Sequence, residues 1–231
     1  MRVWDINPGY LNRQSLLGEH REIHALFSVL WNHKKGYSRH PETLRWVGKL
    51  SALEYRHNLL VAEMHLRGYG HHSPMTGSND DPFQHQYVDS PFRQFEILKQ
   101  KYEEREKGRI PMPMNAQQLW AQHKYSVLAR DPEYYKAMGP KVSGNKDDLF
   151  FETLCLELVE LLQIPPKSGR LLNAIQHMWG YVDQYEALPQ NAEEPRILLE
   201  AIRRLSFQHN VIYLIQSTAL SDLKEGLRPL L

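Results

Sequence analysis

Apolar residues recur at helical spacing along most of the chain. Between residues 15 and 35 they fall three or four positions apart, as on the buried face of a helix; they are Leu16, Leu17, Ile23, Leu26, Phe27 and Leu30. Ser15 is the predicted cap of this helix. A second helix is predicted from residue 41 or 42 to Leu66, because Arg67 and Gly68 supply a cation and a glycine at its C-terminal end.

The rest of the chain predicts further helices, separated by segments rich in proline and glycine. Residues 69–91 are predicted to form one long loop, and a charged helix follows to about residue 108. Asn115 is the predicted cap of the next helix, and the sequence DPEYYKAMGP after it predicts an aromatic turn. The last three helices are predicted at residues 147–163, 168–187 and 194–222. Because no stretch alternates with a period of two, the predicted fold class is all-α.

Composition narrows the class of protein. The chain has 231 residues, of which 42% are hydrophobic and 24% charged, as is usual for a globular protein with a sizeable core. Its single cysteine, Cys155, excludes a disulfide framework and a cysteine-based zinc cluster. No apolar run approaches the roughly 18 residues of a membrane span, and the start of the chain does not resemble a signal peptide. We therefore expect a reduced, cytoplasmic protein without a membrane partner.

Charge is distributed unevenly along the chain. Residues 1–72 carry ten Lys and Arg against six Asp and Glu, together with eight of the twelve histidines. Residues 141–231 carry nine against twelve. A basic, histidine-rich first part favours an anionic partner, although the excess is small enough to arise by chance on a surface.

Two histidine pairs are candidates for metal binding. His20 and His24 lie four residues apart and would share one helix face, with Glu19 or a distant histidine as the third ligand. The preferred interpretation is a polar helix face without a metal. His71 and His72 are adjacent in the glycine-rich loop, and we expect them to be solvated rather than ligands.

Three segments carry a family resemblance. LNRQSLLGEHREIHALF covers residues 11–27, LSALEYRHNLLVAEMHLRGY covers residues 50–69, and PEYYKAMG covers residues 132–139. In this order they resemble the first helix, the second helix and the C-terminal aromatic turn of the pyrimidine-dimer DNA glycosylases. The resemblance implies a compact all-α bundle over residues 1–140, with an additional C-terminal helical region at residues 141–231.

The resemblance also implies an activity. Enzymes of this family cut the N-glycosidic bond of a damaged pyrimidine in duplex DNA and then nick the strand by β-elimination. Their nucleophile is the α-amino group of the chain, which falls on Met1 here, and their acid–base glutamate falls on Glu22. An α-amine suits this role because its reference pKa, near 8, lies well below that of lysine. No cofactor and no metal is expected.

The same resemblance indicates which residues contact the nucleic acid. Arg2 and Arg21 would hold phosphates beside the lesion, and Lys136 would neutralise another. Tyr134 and Tyr135 would either stack against bases when the duplex is distorted or pack a helix end. The predicted contact residues are Arg2, Gln14, Arg21, Tyr134, Tyr135 and Lys136.

The C-terminal part carries a second resemblance. From about residue 115 to residue 223 the chain is similar to an uncharacterised bacterial all-helical domain that is often fused to thiouracil or thiouridine desulfidases. The pattern includes Asn173, His177, Gly180 and Tyr181. The resemblance suggests that this part grips structured RNA. His177 is expected to be a buried histidine with satisfied hydrogen bonds.

Three functions follow from these observations. The favoured one is a DNA repair glycosylase with AP lyase activity on pyrimidine dimers. The second is a non-catalytic protein that binds RNA or DNA. The third keeps the amine and the glutamate but acts on a modified nucleoside in RNA.

Overall fold

The computed structural model describes residues 2–77 and 79–227, and every regular element in these ranges is helical. The predicted all-α class is therefore confirmed. The chain divides into two compact units, Met1–Gly108 and Arg109–Leu231. The domain boundary expected at residue 140 came from the family resemblance and stays a prediction. None of the helices in the described ranges combines the length and apolar character that a membrane crossing requires.

The first unit begins with an extended segment and a short 3-10 turn at Pro8–Tyr10. Its helices are α1 (Arg13–Trp31), α2 (Pro41–Leu44), α3 (Leu50–Leu66) and α4 (Pro91–Lys101). The described residues between α3 and α4 contain no regular element, as predicted for the loop.

Three predicted helix boundaries in this unit are wrong. The charged helix predicted to reach about residue 108 ends at Lys101. Ser15 does not cap α1; the Asn12 side chain does so, accepting a hydrogen bond from the Ser15 backbone N–H at 2.8 Å. The single helix predicted to end at Leu66 is divided into α2 and α3. Gly48 lies between them with a φ of +71°, a backbone conformation that interrupts a helix and favours glycine.

The core of the first unit forms where α1 and α3 pack together and Tyr10 contacts α4. The Tyr10 and Phe95 rings meet edge to face, with centroids 4.8 Å apart. The fully buried side chains around them are Leu11, Leu16, Ile23, Leu26, Leu53, Leu60 and Leu98. This core fixes α1, so the polar residues of α1 take defined positions.

Replacing Gly108 by alanine is expected to destabilise the first unit by about 1–3 kcal/mol. A Cβ at this position would overlap the Tyr10 carbonyl group and lie 2.8 Å from the Gly9 oxygen, both of which are backbone atoms. The measurement is the free energy of unfolding from urea titration. As a control, Gly18→Ala on α1 meets nothing within 4 Å and should be neutral or stabilising. Equal effects of the two changes would contradict the prediction.

The second unit contains α5 (Ala116–Leu128), α6 (Pro132–Val142), α7 (Asp148–Leu161), α8 (Ser168–Trp179), α9 (Pro195–Gln208), α10 (Ile212–Ile215) and α11 (Ala219–Asp222). A 3-10 turn, Leu223–Leu227, follows. The cap predicted at Asn115 is confirmed, because its side chain accepts from the Gln118 N–H at 2.9 Å.

Four predictions for this unit are wrong. The helix predicted over residues 168–187 ends at Trp179. The aromatic turn is helix α6, because the Asp131 side chain accepts from the N–H groups of Glu133 and Tyr134 and caps it. The helix predicted over residues 194–222 is three helices, and Asn210 interrupts it with a φ of +51°. His177 is exposed on α8 rather than buried.

Candidate active site

The extended segment before the first turn is buried. Val3 and Trp4 expose only 2% and 4% of their surface, and Ile6 is fully buried. This apolar burial is expected to contribute several kcal/mol to holding the start of the chain against the helices.

Polar side chains from all four helices, or from their ends, bind the backbone of this segment. Glu19 on α1 accepts from the Trp4 N–H at 3.2 Å. Arg45, the residue after α2, donates to the Val3 carbonyl at 2.8 Å. Arg56 on α3 donates to the Ile6 carbonyl at 2.6 Å, and Gln94 on α4 accepts from the Asp5 N–H at 2.8 Å. The segment therefore has one defined path.

Three of these side chains belong to buried ion pairs. Arg56 binds both oxygens of Glu19, at 2.7 and 3.0 Å. Arg45 pairs with Asp5 at 2.8 Å and with Glu42 at 2.6 Å. These bidentate and shared contacts satisfy the buried charges and make the arrangement rigid.

The path brings the start of the chain to Glu22. The backbone N–H of Arg2 donates a hydrogen bond to Oε2 of Glu22. That nitrogen belongs to the peptide bond between Met1 and Arg2. Met1, the predicted nucleophile, lies outside the described residues. The structure thus brings the predicted carboxylate together with the residue that follows the predicted amine.

Two cations lie beside this contact. The Arg2 guanidinium stacks on the Trp4 ring at 4.1 Å and pairs with Asp89 at 2.7 Å. The Lys101 ammonium donates to the Ser15 hydroxyl at 3.1 Å. Burial lowers the pKa of Lys101 and the charge of Arg105 adds to this, whereas the charge of Glu22 opposes it. Sequence reasoning missed Lys101, since nothing in a charged helix marks one lysine among several.

The other predicted contact residues of α1 are exposed. Gln14 lies in its first turn. The Arg21 Nε–H donates to the Leu17 carbonyl of the same helix at 3.2 Å, so this guanidinium lies along the helix surface. Their contact with DNA stays a prediction.

The predicted aromatic contacts belong to the second unit, on α6. The Tyr134 hydroxyl donates to Glu157 at 2.5 Å, and burial together with this hydrogen bond raises the pKa of Tyr134. The Tyr135 ring lies 5.7 Å from that of Trp120. These contacts favour the alternative in which the tyrosines pack a helix end. Lys136 is exposed and pairs with Glu133, and its contact with DNA stays a prediction.

A histidine cluster lies elsewhere in the first unit. His20 and His24 on α1, His57 on α3 and His71 after α3 each offer one ring nitrogen, and these four atoms all lie within 4.8 Å of one another. Burial, with the neighbouring histidines adding to it, lowers the pKa of His20 to about 4. Burial lowers the pKa of His57 to about 4 as well.

Only part of this cluster is recognisable from the sequence. His20 and His24 were a candidate pair, and His57 was not considered. The expectation that His71 is solvated is wrong, because its Nε2 atom is buried; its neighbour His72 is exposed, as expected. His57 could have been placed beside His20 and His24 only from a prediction that α1 packs against α3.

Comparisons with known proteins divide the chain into two parts. Residues 1–77 match the family model of the pyrimidine dimer DNA glycosylases. Residues 124–222 match the model of a family described as a protein of unknown function (DUF1722). No curated protein and no solved structure matches the chain.

The two matches confirm the two-part resemblance. The first contains the Arg2–Glu22 contact and all four clustered histidines, and it ends before Lys101. The second contains α6 with its aromatic residues. Neither family is described as binding RNA. The chain therefore joins a region that matches the pyrimidine dimer DNA glycosylase family, at residues 1–77, to a region that matches the DUF1722 family, at residues 124–222.

Proposed function

We propose that this protein is a DNA glycosylase with AP lyase activity that removes dimerised pyrimidines from duplex DNA through an imine on its N-terminal amine. The observation that carries the proposal is the hydrogen bond from the Arg2 backbone to Glu22, within the part that matches the glycosylase family. The hydrogen bonds that hold the start of the chain against the four helices also support the proposal. A nucleophile must keep a fixed position relative to its acid–base partner.

The proposed reaction has two steps. In the first, the neutral amine attacks C1′ of the damaged nucleotide, and the N-glycosidic bond breaks as the base leaves with the bonding pair and takes up a proton. Loss of a proton from nitrogen and opening of the sugar ring then give the imine. In the second, a base removes a proton from C2′, and the C3′–oxygen bond breaks to nick the strand.

Glu22 would act in both steps. Its carboxylate would stabilise the positive charge that develops at the sugar during attack. It would also carry protons between the amine, the ring oxygen and C2′. The Arg2 N–H would orient the carboxylate, since this hydrogen bond fixes one of its two oxygens.

The nearby cations would bind the phosphates. Arg2 already pairs with a carboxylate, so a phosphate would displace Asp89 or share the guanidinium with it. Lys101 would hold a second phosphate, and Gln14 and Arg21 would extend the contact along α1.

Incision of irradiated plasmid tests the function. Tag-free protein, with its N-terminal residue verified by mass spectrometry, should nick ultraviolet-irradiated supercoiled DNA and leave the unirradiated plasmid intact. Equal nicking of both plasmids would indicate an unspecific nuclease. Tight binding without incision would favour the alternative of a protein that only binds nucleic acid.

Changing Lys101 to methionine is expected to weaken binding of dimer-containing duplex about 3–10-fold and to reduce the salt dependence by about one phosphate contact. The reason is the loss of one ammonium beside Glu22 and Arg2. Binding is measured by fluorescence anisotropy at several salt concentrations. Lys49→Met is the control, since Lys49 pairs with Asp81. An unchanged salt slope for Lys101→Met would contradict the assignment.

One observation favours nucleic-acid binding by the second unit. The Tyr181 and Tyr213 rings stack with centroids 4.8 Å apart, and the Lys124 ammonium lies 5.0 Å from the Tyr213 ring. Aromatic rings beside a cation can receive unpaired bases. This is the basis of the second candidate function, binding of DNA or RNA without chemistry, and it also agrees with a DNA-holding role in the glycosylase.

A further inference from the structure

We propose that His20, His24, His57 and His71 form a structural Zn²⁺ site that joins α1, α3 and the start of the long loop. This inference goes beyond the glycosylase function and does not depend on it.

The four ring nitrogens have the arrangement that a small cation requires. They all lie within 4.8 Å of one another. The ring centroids of His20 and His24 lie 4.7 Å apart, and those of His57 and His71 lie 5.1 Å apart. In a tetrahedral site with Zn–N bonds of about 2.0–2.1 Å, the nitrogens are about 3.4 Å apart. Each nitrogen would therefore move by less than about 1 Å, which side-chain rotation can supply.

The hydrogen bonding of these residues points to a missing ligand. The Nε2 atoms of all four histidines are buried, and none has a hydrogen-bond partner. A buried polar atom without a partner costs free energy, and four such atoms facing each other are rarely tolerated in a folded protein. A cation bound by their lone pairs satisfies all four at once.

His57 shows the support that metal-binding histidines usually have. Its Nδ1–H donates to the side-chain oxygen of Asn58 at 3.3 Å. This hydrogen bond fixes the tautomer in which Nε2 carries the lone pair, and it orients the ring.

The four imidazole ligands favour zinc, and the coordination shell that they fill favours a structural role. Imidazole suits Zn²⁺ among the divalent first-row metals, and four protein ligands fill a tetrahedral shell. A catalytic zinc needs an open position for water or substrate. Here the fourth position belongs to His71, so the ion would stabilise the fold.

The site would anchor the loop that reaches the candidate active site. His71 stands at the start of this loop. Further along, Asp80 accepts from the N–H groups of Leu50 and Ser51 at the start of α3, at 2.8 and 2.7 Å. Asp89 at its end pairs with Arg2. These contacts hold the middle and the end of the loop. Zinc bound by the histidines would hold its start.

Metal analysis of tag-free protein, purified without chelators, tests the proposal directly. We expect about one zinc per chain, with an X-ray absorption spectrum that shows four nitrogen neighbours at about 2.0 Å and the outer-shell signature of imidazole. Removal of zinc by a chelator should lower the melting temperature by about 5–10 °C, and added Zn²⁺ should restore it. A zinc content near zero after dialysis against Zn²⁺ would overturn the proposal.

Variants separate this site from adventitious binding. His57→Gln and His71→Gln should each reduce retained zinc at least tenfold, whereas His72→Gln, at the exposed neighbouring histidine, should retain the wild-type amount. Circular dichroism checks that the variants keep their helices. If a variant fails to fold, the absorption spectrum of the wild-type protein still decides, because a shell with fewer than three imidazoles excludes the site. Equal zinc in all three variants would also overturn it.

Discussion

Replacing Glu22 by glutamine is expected to lower the rate of incision of dimer-containing duplex about 10²–10⁴-fold. Glutamine keeps an oxygen that can accept the Arg2 N–H, so the start of the chain should stay in place. It carries no negative charge and cannot transfer protons, so both steps of the proposed reaction lose their acid–base group. The rate is measured under single-turnover conditions on a duplex with one pyrimidine dimer.

Two further measurements make this result specific. Binding of the same duplex, followed by anisotropy, should change by less than about threefold, because the substitution removes no cation. Glu96→Gln on α4 is the control: that exposed carboxylate pairs with Arg93 and should keep wild-type activity. A Glu22→Gln protein that incises at the wild-type rate would remove Glu22 from the mechanism.

Replacing Arg56 by methionine is expected to destabilise the protein by about 3–5 kcal/mol. The change leaves the Glu19 carboxylate buried without its guanidinium, and the Glu19 side chain is only 1% exposed. It also removes the hydrogen bond to the Ile6 carbonyl. The free energy of unfolding is obtained from urea titration, and the slope of the transition shows whether the unfolded state has changed.

The control for this prediction is an exposed ion pair. Arg93→Met breaks the contact with Glu96, in which the two side chains are 57% and 47% exposed, and it should cost less than about 1 kcal/mol. Adding Glu19→Gln to Arg56→Met should recover part of the loss, because no charge then stays buried alone. Similar costs for Arg56→Met and Arg93→Met would contradict the role of the buried pair.

The sequence predicted the parts of the fold that depend on local patterns. The periodicity of α1 and the cap at Asn115 were sufficient, because both signals lie within a few residues of what they specify. The cap of α1 and the division between α2 and α3 were misjudged. In both places a residue visible in the sequence, Asn12 or Gly48, was given too little weight against the apolar pattern.

The site depends on contacts that local patterns cannot reveal. Glu19 and Arg56 are 37 residues apart, and Arg2 and Asp89 are 87 apart. Glu22 was singled out through the family resemblance, since its position on an amphipathic helix does not distinguish it from a solvated carboxylate. The histidine cluster needed the packing of α1 on α3 before its third and fourth members could be recognised.

Covalent trapping tests the central claim most directly. Tag-free protein is incubated with dimer-containing or abasic duplex in the presence of borohydride, and the adduct is digested and sequenced by mass spectrometry. A secondary amine on the α-nitrogen of the N-terminal peptide, absent when that nitrogen is acetylated beforehand, is the predicted result. An adduct on a lysine such as Lys101, or no adduct at all from protein that incises the DNA, would contradict the account.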